Sequence, residues 1–306
     1  MSRHKRFPWF FASLLLLTCF TGFVLLDTFV VPKTYSAIAT NTTTEATSAT
    51  ENTEAASSEA AEAVITENSY QDDTMSITIS TEQAADTTYY VADVQVTSSD
   101  QLKTAFAEGT YGRNIKETTS SMAAANQAVL AINGDYYGFR DTGYVLRNGS
   151  LYRDTPEEDT DALVVDGDGN FSIVNQSEVS AETLLEEGAS QVLSFGPALV
   201  EDGEIAVTSD EEVSQSMSSN PRTAIGQIGE NHYIVIVSDG RTDESVGLSL
   251  YQLAEIFESK GATVAYNLDG GGSSTMVFNG QVVNTPVAGA KGDSGSERSV
   301  SDIIYF

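Results

Sequence analysis

The sequence predicts an α+β (mixed α/β) fold. It reads as a single compact domain with a buried mixed sheet, flanking helices and several β-hairpins, behind an N-terminal transmembrane helix. Three observations lead there. Near-continuous apolar runs at 232–237 and 262–268 read as strands covered on both faces. Short turn sequences (Asn148-Gly149, residues 166–169, Asp202-Gly203 and Asn279-Gly280) separate extended stretches and mark hairpins. An apolar stretch over residues 7–31 carries one charge, Asp27.

Taken in order, residues 1–6 form a basic head with Arg3, Lys5 and Arg6. Residues 7–31 exceed the roughly 20 residues that span a bilayer core. Bases before such a span place the N-terminus in the cytoplasm and export the remainder of the chain. The chain thus reads as a single-pass cell-membrane protein with an extracellular body. The alternative is a secreted protein released by signal cleavage, for which Ala37-Ile38-Ala39 is a possible site. Residues 32–74, rich in Thr, Ala, Ser and Glu, are expected to be a disordered linker, because so little apolar surface cannot offset the entropy of ordering.

The domain is expected over 75–306. Alternation at 75–80 and 89–97 predicts strands. Asp100 is expected to cap a helix over 101–109 ended by Gly109, and a second helix is expected over 117–126 before a strand at 128–133. Residues 181–187 and 248–260 also read as helices, the latter with Leu250, Leu253, Ala254 and Phe257 on one face and Gly261 as its stop. A final strand covers 299–306.

Composition narrows the chemistry. Of 15 bases and 44 acids, three bases and one acid precede Pro32, leaving an acidic body. Without a basic cluster beyond the head, nucleic acid is not an expected partner. Cys19 is the single cysteine, so an intramolecular disulfide and a Cys-based zinc site are excluded. The histidines are His4 and His232. Carboxylates, arginines, hydroxyls and backbone amides must therefore carry any catalysis.

Three buried strands read as ending alike, each running into an Asp and a Gly. The sharpest is Asn267-Leu-Asp-Gly-Gly-Gly-Ser-Ser-Thr275, where Gly270, Gly271 and Gly272 let an anionic oxygen approach bare amides. Asn133-Gly134-Asp135 and Ser238-Asp239-Gly240-Arg241 repeat the pattern. Asp135, Asp239 and Asp269 are expected to line one cleft, where paired carboxylates can act as acid and base or nucleophile. Arg222 and Arg298 each begin an apolar strand and are suited to phosphate. Ser273 and Ser274 are read as substrate-binding hydroxyls rather than nucleophiles. Residues 166–170 resemble the start of a calcium loop but have Ser177 where the bidentate Glu belongs, so they read as a turn.

Together, NGDYY, FGPALV, NPRTAIG, VSDGR, the 247–262 helix, NLDGGGSSTMV and ERSVSDII resemble the phosphodiester glycosidase family, over roughly 88–306. The resemblance implies hydrolysis of a sugar-1-phosphodiester on its glycosidic side. It assigns Asp269, Asp239 and Asp135 to catalysis, and Asn133, Gly134, Arg222, Arg241, the three glycines, Ser273, Ser274 and Arg298 to substrate or phosphate. The exported setting points to a cell-envelope glycan or exopolysaccharide as substrate. No cofactor is required, although clustered Asp could bind Ca²⁺ or Mg²⁺ and act as a metal-dependent phosphodiesterase. A non-enzymatic glycan-binding module, stacking sugars on Tyr136, Tyr137, Phe139 or Tyr144, is a further alternative.

Overall fold

The structure is a computed structural model, and it describes residues 8–40, 63–209, 219–288 and 295–306. Four α-helices, α1 (Pro8–Phe29), α2 (Thr119–Ala125), α3 (Ala181–Glu186) and α4 (Leu250–Ser259), accompany three larger antiparallel sheets. The α+β class and the hairpins are as expected. In place of one buried mixed sheet, the strand pairings among the described residues are antiparallel and divided over several sheets.

The central sheet has nine strands. Its middle is Val264–Asn267, Thr223–Gly229, His232–Ser238, Thr87–Val96 and Met75–Ala84, hydrogen-bonded in that order. Both faces are buried, which explains the continuous apolar runs. Ile234 and Ile236 point to a core shared with Leu250, Leu253 and Phe257 of α4. Tyr233, Val235 and Val237 point the other way, into a core shared with Leu130, Ile132 and Ile304 of a five-stranded sheet. Ser249 begins α4 with a capping box to Gln252. Gly261, at φ +81°, ends it. The Phe257 ring lies against the sheet at Gly226, where a Cβ would sit 2.9 Å from it.

Two further expectations change. The helix expected over 101–109 is a strand, Lys103–Phe106, paired with Asp302–Tyr305 at the edge of the five-stranded sheet. Ser98, not Asp100, caps the short turn before it. A segment of that length makes only a marginal helix by itself, and sheet pairing outweighs it. The linker expected over 32–74 is ordered at both ends. Lys33–Thr34 pairs with Gly112–Arg113, and Ala39–Thr40 with Ser150 and Leu151. Val64–Ile65 and Ser69–Gln71 extend the central sheet. These strands are two or three residues long and held mainly by ladder bonds, with Val64 and Ile65 exposed, so they leave no hydrophobic period to read. Residues 1–7 and 41–62, which include the basic head and the middle of the expected linker, lie outside the described residues.

Helix α1 is long and apolar enough to cross a membrane, and none of its apolar stretch is buried against the body. Its end is tied to the body: Asp27 pairs with Lys33 at 2.7 Å, and Asn114 Nδ2 donates to the carbonyls of Thr28 and Val31.

A buried ion triad joins the six-stranded sheet, through Arg147 at the end of Val145–Arg147, to the five-stranded sheet. Arg147 Nη2 is 2.7 Å from Asp135 Oδ2 and 3.0 Å from Asp302 Oδ2. Burial and the neighbouring Asp135 push the Asp302 carboxyl well above the carboxylate range. Removing Arg147 would strand two carboxylates in the core. Arg147→Met is therefore expected to lower stability by about 3–5 kcal/mol in urea unfolding, the range for breaking a buried ion pair.

Candidate active site

The site forms where the central sheet meets the five-stranded sheet. The loop after Val264–Asn267 crosses from one to the other and re-enters as Met276–Phe278. Asn133, at the end of Leu130–Asn133, holds this crossing. Its Nδ2 donates to the Asp269 carbonyl at 2.6 Å, and its Oδ1 accepts from Thr223 Oγ1 at 2.8 Å and Thr275 N at 3.2 Å. Gly134 accepts from the Asp269 amide and sits against Asp302, where a Cβ would collide with the carboxylate. Asn133 and Gly134 thus place the glycine loop by backbone and side-chain bonds, from beneath it.

The glycine loop is the floor of an arginine cluster. A Cβ on Gly271 would lie 2.7 Å from Arg241 Nη2, and one on Gly272 would lie 2.6 Å from Arg298 Nη2. Gly271, at φ +62°, also needs a conformation that side chains disfavour. Arg241 is oriented by Asn220 Oδ1, which accepts from Nε and Nη2. Arg222, 3% exposed, donates from Nε to the Leu248 carbonyl, and its aliphatic stem lies beside Gly270. Burial and the Arg241 charge lower Arg222 to about 10, while burial and the Arg298 charge lower Arg241. Arginines that weaken one another's charged form mark a place where a bound anion would be stabilised.

Asp269 lies at the edge of this cluster. Burial raises its carboxyl to about 6, against hydrogen bonds from Ser273 and the Gly270 amide and the charges of Arg298 and Arg140. Its Oδ2 is buried without a hydrogen-bond partner. Arg298 Nη1 reaches Ser273 Oγ at 3.4 Å, completing a line from arginine through serine to carboxylate. Asp239 is 8% exposed; Thr285 N donates to its Oδ1 at 2.7 Å and Tyr90 OH to its Oδ2 at 3.2 Å. Burial raises Asp239 as well, and Tyr90 beside it is pushed up to about 12. Asn284 joins the two regions: it hydrogen-bonds Asp239 and donates to the Ser274 carbonyl.

Asp135 does not join the cleft. It is fully buried, and its carboxylate accepts from Arg147, Ser194 N and Tyr137 N. With both oxygens occupied inside the fold, it positions the Asn133–Tyr137 turn and does not face substrate. Among the described residues no three His, Cys, Asp or Glu side chains gather as metal ligands. Residues 166–170 form a turn in which Asp166 Oδ1 accepts from the amides of Asp168 and Asn170. His232 bonds Asp93 at the start of its strand, six residues and roughly 20 Å from Ser238. His232 thus lies at the opposite end of its strand from Ser238 and Asp239.

Sequence reading missed Arg140, Phe195, Tyr90 and Asn220. The Arg140 guanidinium lies 4.9 Å from the Phe195 ring and 6.0 Å from the Tyr136 ring, and its charge reaches Asp269. None of these follows a strand-end Asp-Gly pattern; Phe195, Asn220 and Tyr90 lay in segments already singled out, but as motif or strand residues with no site role. Of the aromatics proposed for stacking, Tyr137 and Tyr144 are core residues at 2% exposure, whereas Tyr136 and Phe139 stack on each other, partly exposed.

A family model described as phosphodiester glycosidase matches residues 126–306. The chain belongs to the phosphodiester glycosidase family, a family of hydrolases. It is similar to an SPbeta prophage-derived uncharacterized protein, YomE, of Bacillus subtilis: 32% identical over 201 residues, 63% of this chain and 30% of that protein. It is 42% identical over 65 residues to mouse N-acetylglucosamine-1-phosphodiester α-N-acetylglucosaminidase, covering 21% of this chain and 12% of that enzyme. The chain thus spans less than a third of the length of these curated relatives. The zebrafish enzyme of the same name, solved as a catalytic domain auto-inhibited by its pro-peptide, shares the fold. Its TM-score is 0.62 at 22% identity, over 76% of this chain and 82% of that one. A hypothetical protein from Synechocystis also shares it, with a TM-score of 0.55 at 15% identity over 76% and 62% of the two chains. The phosphodiester glycosidase match includes the Asn133–Gly134 turn, the glycine loop and all three clustered arginines; Tyr90 lies before it.

This geometry makes the glycines and Asp269 testable. Gly272→Ala drives a Cβ against Arg298 and the Val287 carbonyl, so affinity for inorganic phosphate should fall on the order of tenfold in calorimetric titration, as for the loss of one charge-assisted hydrogen bond. Because burial raises Asp269, protonation favours the folded state, and the ionised carboxylate destabilises it increasingly as pH rises from the ordinary carboxylate range through about 6. Asp269→Asn should melt a few degrees above wild type at pH 7.5, with the gap closing towards pH 4.

Proposed function

We propose that this chain is a membrane-anchored hydrolase of the cell envelope that cleaves the glycosidic bond of a sugar-1-phosphodiester in a surface glycan or exopolysaccharide. The observation that carries the reading is the meeting of Arg222, Arg241 and Arg298 around the glycine loop with Asp269 at its edge. The arginines hold the diester. Asp269 acts at the anomeric carbon, by direct attack or by deprotonating water. The bond from that carbon to the phosphate oxygen breaks, and water supplies the oxygen that replaces it. The departing phosphate is a weak base and needs little protonation, so the site works without a histidine acid. Asp239, held by Thr285 and Tyr90 with its carboxyl raised, is the second carboxylate available for proton transfer.

The bond broken distinguishes this reaction from a phosphodiesterase, for which the described residues offer no group of metal ligands. The strand pairing after α1 supports an anchor that is kept. Lys33–Thr34 and Ala39–Thr40 both pair with the body and flank the possible cleavage site, so cutting there would remove a paired strand. The basic head supports a body outside the cytoplasm.

With the methyl ester of N-acetylglucosamine 1-phosphate as substrate in ¹⁸O-labelled water, the label is expected in the sugar; label in the phosphate would sink the reading. Since Asp269 must be ionised, kcat/KM should climb about tenfold per pH unit below about 6 and level off above it. A profile that falls through that range would make Asp269 an acid instead.

A further inference from the structure

A cavity of about 650 Å³ lies beside the site, between the body and the chain segment that leaves the membrane helix. That size is within the range of small-molecule sites. Its floor is aromatic. Tyr111 stacks on Tyr137 at 5.1 Å and meets Tyr152 at 4.9 Å, and Tyr35 of the overlying segment approaches Tyr111 at 6.1 Å. The overlying segment is held by backbone bonds, from Tyr35 N to the Tyr111 carbonyl and from Ile38 N to the Leu151 carbonyl.

The charges around this cavity differ in kind from those at the glycine loop. Arg113 is paired with Asp141 at 2.6 Å, and Arg140 with Glu157 at 3.1 Å. Arg153 donates to the carbonyls of Gly143, Tyr137 and Arg140. With Arg113 and Arg140 each faced by a carboxylate and the Arg153 donors occupied by backbone carbonyls, the lining favours an uncharged, hydroxyl-rich ligand over an anion. Tyr111 and Tyr137 cover each other's faces, so the exposed Tyr35 and partly exposed Tyr152 supply the aromatic surface for the C–H faces of pyranose rings, and the arginine–carboxylate pairs suit sugar hydroxyls. Arg140 is common to both places: it lines this cavity while stacking on Phe195 and acting on Asp269.

We propose that this cavity is a second carbohydrate subsite, which holds a neutral sugar unit of the glycan whose phosphodiester is cut at Asp269. It rests on the proposed reaction only for the identity of the glycan. The chain of sugars would run from the glycine loop across Arg140 and under the segment joining the membrane helix to the body.

The full chain in lipid nanodiscs is titrated with cellotetraose and chitotetraose, followed by saturation-transfer NMR, and separately with inorganic phosphate. Ser36→Trp and Thr155→Trp each fill the cavity from an exposed rim position and leave the tyrosine floor in place. At least one tetrasaccharide is expected to bind, and its affinity to fall tenfold or more in both variants while phosphate affinity stays unchanged. Binding of neither tetrasaccharide, or binding that both variants retain, overturns the subsite. Turnover of the methyl ester reports on the reaction alone. If turnover fails while tetrasaccharide binding responds to the variants, the subsite stands without the reaction. If turnover proceeds while no tetrasaccharide binds, the reaction stands without the subsite.

Discussion

The site depends on one buried amide. Asn133 sits at the seam between two antiparallel sheets, and its side chain bonds the Asp269 carbonyl, Thr223 Oγ1 and the Thr275 amide at once. A buried polar group costs free energy unless its partners are in place, so the three segments are held to one arrangement. The glycine loop inherits its position from that bond set, and the arginines inherit theirs from the glycines, which lack the Cβ atoms that would displace them. Gly134 and the Arg147 triad extend the same support downward into the core.

The three strand-end carboxylates show how surroundings divide one residue type into separate roles. Asp135 meets a buried arginine and two amides and becomes part of the framework. Asp269 is buried with incomplete compensation, so its carboxyl rises into the range where a base titrates usefully. Asp239 is raised by burial but held by Thr285 and Tyr90. Net charge is likewise a poor guide to local field. The body is strongly acidic, yet its site gathers Arg222, Arg241 and Arg298. Exposed acidic side chains are screened by solvent and the buried Asp135 and Asp302 are paired with Arg147, whereas these guanidiniums are close enough to act on one another.

Much of the fold was legible because the signals were local. Asn148-Gly149 and Asn279-Gly280 specify hairpins through the positive φ their residues adopt. Helix α4 follows from its apolar stripe and its Gly261 stop. Lys103–Phe106 reads as helix in isolation because its partner, Asp302–Tyr305, lies almost two hundred residues away and leaves no trace in its own composition. The strands at 64–71 were hidden for a different reason: they are two and three residues long, and the apolar Val64 and Ile65 are exposed, so no burial period marks them.

By itself, the sequence determined most of the elements, the membrane-length helix, the scarcity of histidine and cysteine, and the inventory of Asp, Gly and Arg at strand ends. Local rules suffice for these, since turn dihedrals, apolar period and residue counts need no partner. Only the tertiary structure decided which strand-end carboxylate is locked into the framework and which lies beside the arginines, that Arg140 reaches Asp269, and that the segment after α1 covers a tyrosine-floored cavity. Those outcomes depend on burial and on pairs far apart in the chain, and desolvation and charge interactions exist only once the chain has folded.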